Sequence, residues 1–381
     1  MSLEQMREEI NQIDQELVDL FRRRMELSKS IGAYKQANQL PVQDPARERE
    51  LLGRVAEQAG EELSEYAQSV YQTILAVSRS YQNAESTRRS GTYQQIQAML
   101  EKTPERFPQR SSVACQGVEG AFSQLACQRL FKLPNIMFFQ SFEHVFKAVE
   151  SGMCQFGVLP IENSTAGSVN KIYDLMLEHN FFIVRSARLK VSHNLLVKPG
   201  VKLEDIREIY SHEQAINQCS DFLGTLKDVK ITVCENTAVA AQMVSQSDRK
   251  DIAAISSRLC AEQYSLQRLK TSVQNQGSNY TRFICISKTP QIYPGADKTS
   301  IMMIVPHRPG SLSHILTKFS ILGINLTKLE SRPLPEREFE FMFYFDLEAS
   351  VYAPEMERLF LDLESECETI RYLGSYSEII G

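Results

Sequence analysis

Forty residues pass before the first proline, Pro41, and through them apolar side chains recur every three or four positions. Leu3, Met6, Ile10, Ile13, Leu17, Leu20, Leu27, Ile31 and Tyr34 make one stripe. That period belongs to a helix and cannot be held by a strand, so one long helix is predicted. The position between Leu20 and Leu27 that should be apolar is Arg24, and Lys35 falls about three turns later on nearly the same face. Two cations on an apolar stripe are costly unless an anion meets them. Asp44-Pro45 then opens a second helix, Asp as N-cap and Pro at the first helical position. Glu48 shares a face there with Leu52 and Val55. A third helix is predicted from near Ser64 past Tyr81, and its stripe of Ala67, Tyr71 and Ile74 takes in Ser78 and Gln82. Any one of these polar residues fits a dimerisation coiled coil that tolerates it. Five across three helices point to a polar pocket inside a helical bundle.

The 381 residues are too many for one ordinary domain. A net charge of −5 offers no basic field to nucleic acid or to an anionic membrane, so an anionic ligand needs a local cationic cluster. No apolar run approaches the ~20 residues of a membrane span, and the charged N-terminus lacks a signal core, so a cytoplasmic chain is expected. The 8 cysteines are scattered without a Cys-x-x-Cys, and the 6 histidines form no ligand pair at helical spacing. Reduced core thiols, no metal and no cofactor are the expectation.

The polar run Ser86-Thr87-Arg88-Arg89-Ser90-Gly91 and the pair Pro104 and Pro108 mark a linker over 86–110, with a short helix between Tyr93 and Leu100. From 111 to 288 short apolar runs alternate with helical segments: Ser112–Cys115, Ile136–Phe139, Phe156–Ile161, Phe181–Val184, Leu195–Val197, Ile209–Tyr210, Ile231–Cys234, Ile252–Ile255 and Phe283–Ile286. That alternation predicts α/β sheets. Polar signatures stand where runs end: Gly117-Val118-Glu119-Gly120, Glu162-Asn163-Ser164, Ser211-His212-Glu213-Gln214-Ala215 with Gln218, Glu235-Asn236-Thr237, and Asn279-Tyr280-Thr281-Arg282-Phe283. Helix N-termini at strand ends suit an anion. Thr281 can donate to a hydroxyl leaving group, and Arg282 can fork onto a carboxylate. The plain alternative is β-propensity at Thr281 and an edge cap at Arg282. His212 is a candidate base or a structural histidine.

Over 297–381 the expected order is strand Ser300–Val305, helix Gly310–Leu322, strand Leu326–Glu330, strand Phe339–Leu347, helix Pro354–Glu364 and strand Ile370–Ser375. This is βαββαβ, the ferredoxin-like motif.

These patterns carry family resemblances. Residues 3–83 resemble the small helical chorismate mutases. The resemblance implies a site of Arg7, Arg24, Lys35, Asp44, Arg47, Glu48, Ser78 and Gln82, with arginines on the carboxylates, Lys35 and Gln82 on the breaking ether oxygen, and Glu48 on the ring hydroxyl. Arg7 and Arg24 stand about 25 Å apart along a straight helix. No small dicarboxylate spans that, so Arg7 is assigned to a partner's site in an intertwined homodimer. The five signatures over 111–288 resemble prephenate dehydratase, whose fold is two α/β lobes about a cleft. The resemblance implies substrate contacts at Asn163, Ser211, Gln218 and Thr281, with Thr281 the donor to the departing hydroxyl. Val118 departs from the proline common in that loop. The last segment resembles an ACT domain, implying phenylalanine between two subunits at Gly310, Ser311 and Leu312 and at Glu330, Ser331 and Arg332. Ser311 replaces the usual alanine.

The chain as a whole resembles the bifunctional chorismate mutase–prephenate dehydratases. The implied fold is an all-α mutase module over 1–85, an α/β dehydratase and an α+β ACT domain. The implied activity is isomerase and lyase in phenylalanine biosynthesis, with chorismate and prephenate as substrates, phenylalanine as inhibitor, and a homodimer or higher homo-oligomer. The alternatives are a cytoplasmic amino-acid sensor whose cleft binds without reacting, and a dehydratase whose mutase module is inactive.

Overall fold

The computed structural model of the chain describes residues 1–84, 89–275, 277–334 and 340–380. Ser86, Thr87 and Arg88 of the expected linker and Phe339 of the expected strand lie outside them. The described chain divides into two compact units: Met1–Ala98 with Ile301–Arg371, and Met99–Ser300 with the stretch from Tyr372 onward.

In the first unit, helix α1 is Leu3–Ala37. Ser2 caps it by accepting the Gln5 N–H, while the Gln5 side chain accepts the Ser2 N–H in return. Helix α2 is Pro45–Ala84, with Asp44 accepting the Arg47 N–H at 3.1 Å as its N-cap. Gly60, at φ 73°, interrupts α2, so the two helices expected there are one element broken at a glycine. Only glycine takes that conformation cheaply, and the break therefore falls at Gly60 and not near Ser64. The α1 stripe is left open by the chain itself, with Leu17 57 % and Leu27 65 % exposed. The same unit carries helices Ser311–Ile321 and Glu355–Glu366 and the strands Asn325–Pro333 and Phe341–Glu348. With Lys298–Ile304 and Thr369–Tyr376 these build a four-stranded sheet in the order Asn325–Pro333, Phe341–Glu348, Lys298–Ile304, Thr369–Tyr376. This is the expected βαββαβ fold, with Asn325–Pro333 at an edge.

The second unit has two lobes. The first holds a sheet ordered Glu378–Ile380, Phe182–Lys190, Tyr280–Ser287, Phe156–Asn163, Arg110–Gln116 and Leu133–Phe139, with Gly167–Ser168 paired onto Phe156–Asn163. The second holds Gln267–Lys270, Asn194–Val197, Ile252–Ser256, Glu208–Ser211 and Lys230–Val233. Each apolar run named from the sequence falls on one of these strands, with Phe181 and Cys234 one residue beyond theirs. The chain crosses between lobes after Lys190 and again before Tyr280. The two crossings flank the strand that carries Thr281. Separate apolar cores fill the lobes, Val113, Val158 and Phe283 among the first, Leu195, Ile209 and Ile255 among the second. All 8 cysteines are unpaired.

Candidate active sites

In the helical module α1 and α2 bring several of the expected residues together. The Arg24 guanidinium donates to Ser78 Oγ, and Ser78 donates in turn to the Ile74 carbonyl at 2.7 Å. Burial pulls the Arg24 pKa below its ordinary value, and the group stays a cation. Gln82 packs on Gly32, where a Cβ would meet Gln82 Cγ at 3.1 Å, and its Oε1 is buried without a hydrogen-bond partner. Lys35 Nζ donates to the Val42 carbonyl at 2.6 Å, across the turn between α1 and α2. Glu48 accepts from Arg79 at 2.6 Å, and Arg79 also pairs with Glu366 at 3.4 Å. Sequence reasoning passed over Arg79, although Leu75, Arg79 and Asn83 repeat the helical spacing. Two expected residues are elsewhere. Arg47 pairs with Glu50 on the surface, and Arg7 stands exposed on α1. Asp44 is spent on its cap.

In the α/β unit a cavity of about 550 Å³ lies between the lobes, walled by Asn163, Gln218, Thr281, His193, His212 and Glu235 among others. It continues into a second space of about 450 Å³ that shares Ala166, His212, Gln214 and Gln218. Asn163 ends its strand beside Thr281, the two in register across the antiparallel pair. Asn163 Oδ1 accepts the N–H groups of Thr165 (3.1 Å) and Ala166 (2.9 Å). Its Nδ2 reaches Thr281 Oγ1 at 2.9 Å, Asn279 Oδ1 at 2.7 Å and the Tyr280 carbonyl at 3.2 Å. Asn279 Nδ2 donates to Gln218 Oε1 at 2.8 Å, and His193 Nε2 lies 3.0 Å from the same oxygen. Among the described lining residues there is no lysine or arginine.

Arg282, expected to grip a substrate carboxylate, points to the other face of its strand, as alternation requires. It is buried between Glu162 and Glu378, 3.2 Å from each, and donates to the Tyr376 hydroxyl at 2.7 Å. Ser211 is also withdrawn. Its hydroxyl donates to the Ile255 carbonyl at 2.8 Å, and the next residue, His212, forms the wall instead. His212 caps the helix Glu213–Gln218, its Nδ1 accepting the Gln214 N–H at 3.3 Å. The glycine-rich loop is a seam between lobes and not an anion cradle. Gly120, at φ 88°, lies so close to Cys260 that a Cβ would stand 2.6 Å from its sulfur, and Ser257 donates to the Gly120 carbonyl at 3.0 Å. His193 joins the wall without any signature in the sequence to mark it.

In the βαββαβ fold Gly310, at φ 85°, precedes the helix Ser311–Ile321, and the Ser311 hydroxyl is buried without a hydrogen-bond partner. Leu312 is half-buried. Glu330 pairs with Lys328 at 3.5 Å, on the edge strand that also carries Ser331 and Arg332. A cavity of about 250 Å³ in this unit is walled by Ser311, His314 and Arg308 together with Glu48, Arg79 and Glu366.

A helical module with half-buried Arg24 and Lys35 and buried Arg79, followed by a two-lobed α/β unit with a threonine at the cleft, has the make-up of a two-site enzyme. The family model for chorismate mutase type II matches residues 6–83, and that for prephenate dehydratase matches residues 113–291. The bifunctional chorismate mutase/prephenate dehydratase of Escherichia coli K12 is 30% identical over 383 residues, covering 97% of this chain and 95% of that one. Among solved structures, prephenate dehydratase from Arthrobacter aurescens in complex with L-Phe is 27% identical with a TM-score of 0.64, over 70% of this chain and 90% of that one. GqqA, described as a quorum-quenching acylase, is 34% identical with a TM-score of 0.64, over 70% of this chain and 97% of that one. The chain belongs to the bifunctional chorismate mutase/prephenate dehydratase family.

Proposed function

We propose that the helical module rearranges chorismate to prephenate and that the α/β cleft converts prephenate to phenylpyruvate, in a cytoplasmic homo-oligomer that reads phenylalanine at the βαββαβ fold. The observation that carries the second step is the direction of the hydrogen bond at Thr281. Backbone N–H groups claim Asn163 Oδ1, so the amide nitrogen faces Thr281. Thr281 accepts in that bond and keeps its own proton to give. The ring carboxylate of prephenate leaves as CO₂ and its electron pair enters the ring. The C–O bond then breaks, and the hydroxyl departs as water on a proton that Thr281 supplies and solvent replaces. Aromatisation drives the step, which leaves the protein only positioning and one donor. The described cleft wall has no lysine or arginine, so the cationic cluster expected for an anionic ligand is not met there, and neutral donors such as Gln218 and Thr281 would hold the substrate.

The rearrangement is pericyclic and needs no covalent catalyst. Arg24, steadied by Ser78, would grip a carboxylate, and Lys35 and Gln82 would donate to the ether oxygen as charge grows there. Glu48, oriented by Arg79, would accept the ring hydroxyl. Arg47 and Arg7 do not join this cluster within one chain, and Arg7 would serve a partner copy. The open α1 stripe supports that partner, since each leucine or isoleucine it buries contributes roughly 1.5–3 kcal/mol. Phenylalanine would sit between two copies near Gly310, Ser311 and Leu312 and the edge strand with Glu330, Ser331 and Arg332, a reading supported by the phenylalanine complex of the Arthrobacter relative. No described helix is long and apolar enough to cross a membrane.

Purified protein given chorismate should produce phenylpyruvate, read by its absorbance in alkali. Binding without turnover would leave the sensor reading. Turnover of supplied prephenate but not of chorismate would mean that the mutase module is inactive.

A further inference from the structure

The amide chain in the cleft has only one possible polarity, and it ends on a histidine with no assigned role. Backbone N–H groups can only donate, so the Asn163 atom that meets Thr165 and Ala166 is oxygen. The other Asn163 atom is therefore the NH₂, and what it meets on Asn279 at 2.7 Å is an oxygen. Asn279 then presents its own NH₂ to Gln218 at 2.8 Å, which must answer with oxygen. That oxygen also lies 3.0 Å from His193 Nε2, so Nε2 carries the hydrogen. His193 is 3 % exposed and its Nδ1 is buried without a hydrogen-bond partner. Burial holds its pKa below the ordinary imidazole value, which keeps the ring neutral at neutral pH. With two donors on Gln218 Oε1, the Gln218 NH₂ is the end of that amide left over for the cavity it lines.

We propose that His193 is a positioning residue of the dehydratase: its Nε2–H holds the Gln218 carboxamide in one orientation, so that the Gln218 NH₂ meets an acceptor oxygen of the substrate. This rests on the cleft being the prephenate site. Without His193 the amide keeps one donor, from Asn279, and its reversed orientation, oxygen toward the anionic substrate, becomes accessible.

The test is a mutant cycle on the full chain, with steady-state kinetics on supplied prephenate and a thermal unfolding midpoint for each variant. His193→Phe keeps a planar ring and removes the donor. It should lower kcat/KM about tenfold, the factor that one hydrogen bond of about 1.4 kcal/mol represents. His193→Gln places an amide N–H near the position of Nε2 and should recover activity to within about threefold. Gln218→Leu should cost more than His193→Phe. The double variant should be no worse than Gln218→Leu alone, because His193 acts through Gln218. Effects that multiply in the double variant, a His193→Phe enzyme equal to wild type, or a His193→Gln enzyme as poor as His193→Phe would each overturn the proposal. If His193→Phe does not fold, His193→Asn, too short to reach Gln218, takes its place in the same cycle. Failure of the wild-type enzyme to turn over prephenate would instead overturn the reading of the cleft itself.

Discussion

Replacing Arg282 with methionine separates two accounts of a residue that stands beside the proposed donor Thr281. If Arg282 held a substrate carboxylate, its loss would weaken binding and leave the fold alone. The structure points to the opposite outcome. The guanidinium is buried against Glu162 and Glu378, each at 3.2 Å, and against Tyr376 at 2.7 Å. The Glu378 side chain is 6% exposed and that of Glu162 30%; losing the cation leaves Glu378 to Arg188, at 2.7 Å, and leaves Glu162 where water still reaches it. Breaking a buried pair from one side costs about 3–5 kcal/mol, and the exposure of Glu162 sets the expectation at the low end, about 3 kcal/mol. For a unit of roughly 200 residues that is a fall in Tm of about 6–12 °C. Scanning calorimetry reads it, alongside KM for prephenate. Adding Glu162→Gln should return part of the loss, because Glu378 still has Arg188 and the carboxylate left without Arg282 is then neutral. An unchanged Tm with KM raised tenfold or more would refute the reasoning and return Arg282 to the substrate.

Thr281→Val should lower kcat for prephenate on the order of 10²–10³ with little loss of stability, since Asn163 keeps Asn279 and Tyr280 as acceptors. A raised KM with unchanged kcat would limit Thr281 to ground-state binding. Lys35→Ala should remove mutase activity by a similar factor and leave conversion of supplied prephenate intact; equal loss of both in a folded variant would contradict separate sites. Arg7→Ala and Arg24→Ala should each be mutase-dead yet regain activity when mixed under subunit exchange, and a mixture that exchanges but stays dead would refute the assignment of Arg7 to a partner. Glu208 is held down to about 2 by Thr232, Arg249 and Lys230. Its stabilising effect is therefore present above the unfolded carboxylate value near 4.3 and is lost as pH falls through about 2. The Tm gap between wild type and Glu208→Gln should close over that window in an acid titration, and a gap independent of pH would contradict the assignment.

The periodic elements were legible because their signals are local. The α1 stripe, the Asp44-Pro45 start and the alternating runs of the α/β segment each state a period and a boundary in a few adjacent residues. Thr281 was legible for the same reason, as a hydroxyl at the mouth of an apolar run. Arg282 was misread because adjacency in sequence means opposite faces on a strand, so the neighbour of a cleft residue looks away from the cleft. The same holds for Ser211 and His212, where the wall belongs to the second. What pairs with Arg282 was invisible, because Glu378 lies ninety-six positions on and nothing local announces that strand's partner. His193 was missed for want of any pattern, while Arg79 left a helical spacing that went unused. Gly60 shows the reverse case, a break that one residue's backbone freedom located better than the polar serine after it.

The strand Glu378–Ile380 lies parallel to Phe182–Lys190 and closes the edge of the dehydratase sheet. The chain that leaves this unit at Ser300 thus comes home at Tyr372, and the two ends of the excursion are stitched by Thr299 to Ser375 and Ser300 to Tyr376, both at 2.7 Å. In genetic terms residues 301–371 are an insertion and not an appendage. A stop codon after Lys288 deletes Glu378, one of the two carboxylates on Arg282, together with the βαββαβ fold, whereas an internal excision that joins the two stitched strands by a short turn leaves the α/β sheet whole. Whoever wishes to exchange the βαββαβ fold for another must therefore graft at two points, and any foreign domain whose ends lie a strand's width apart is a candidate for the socket.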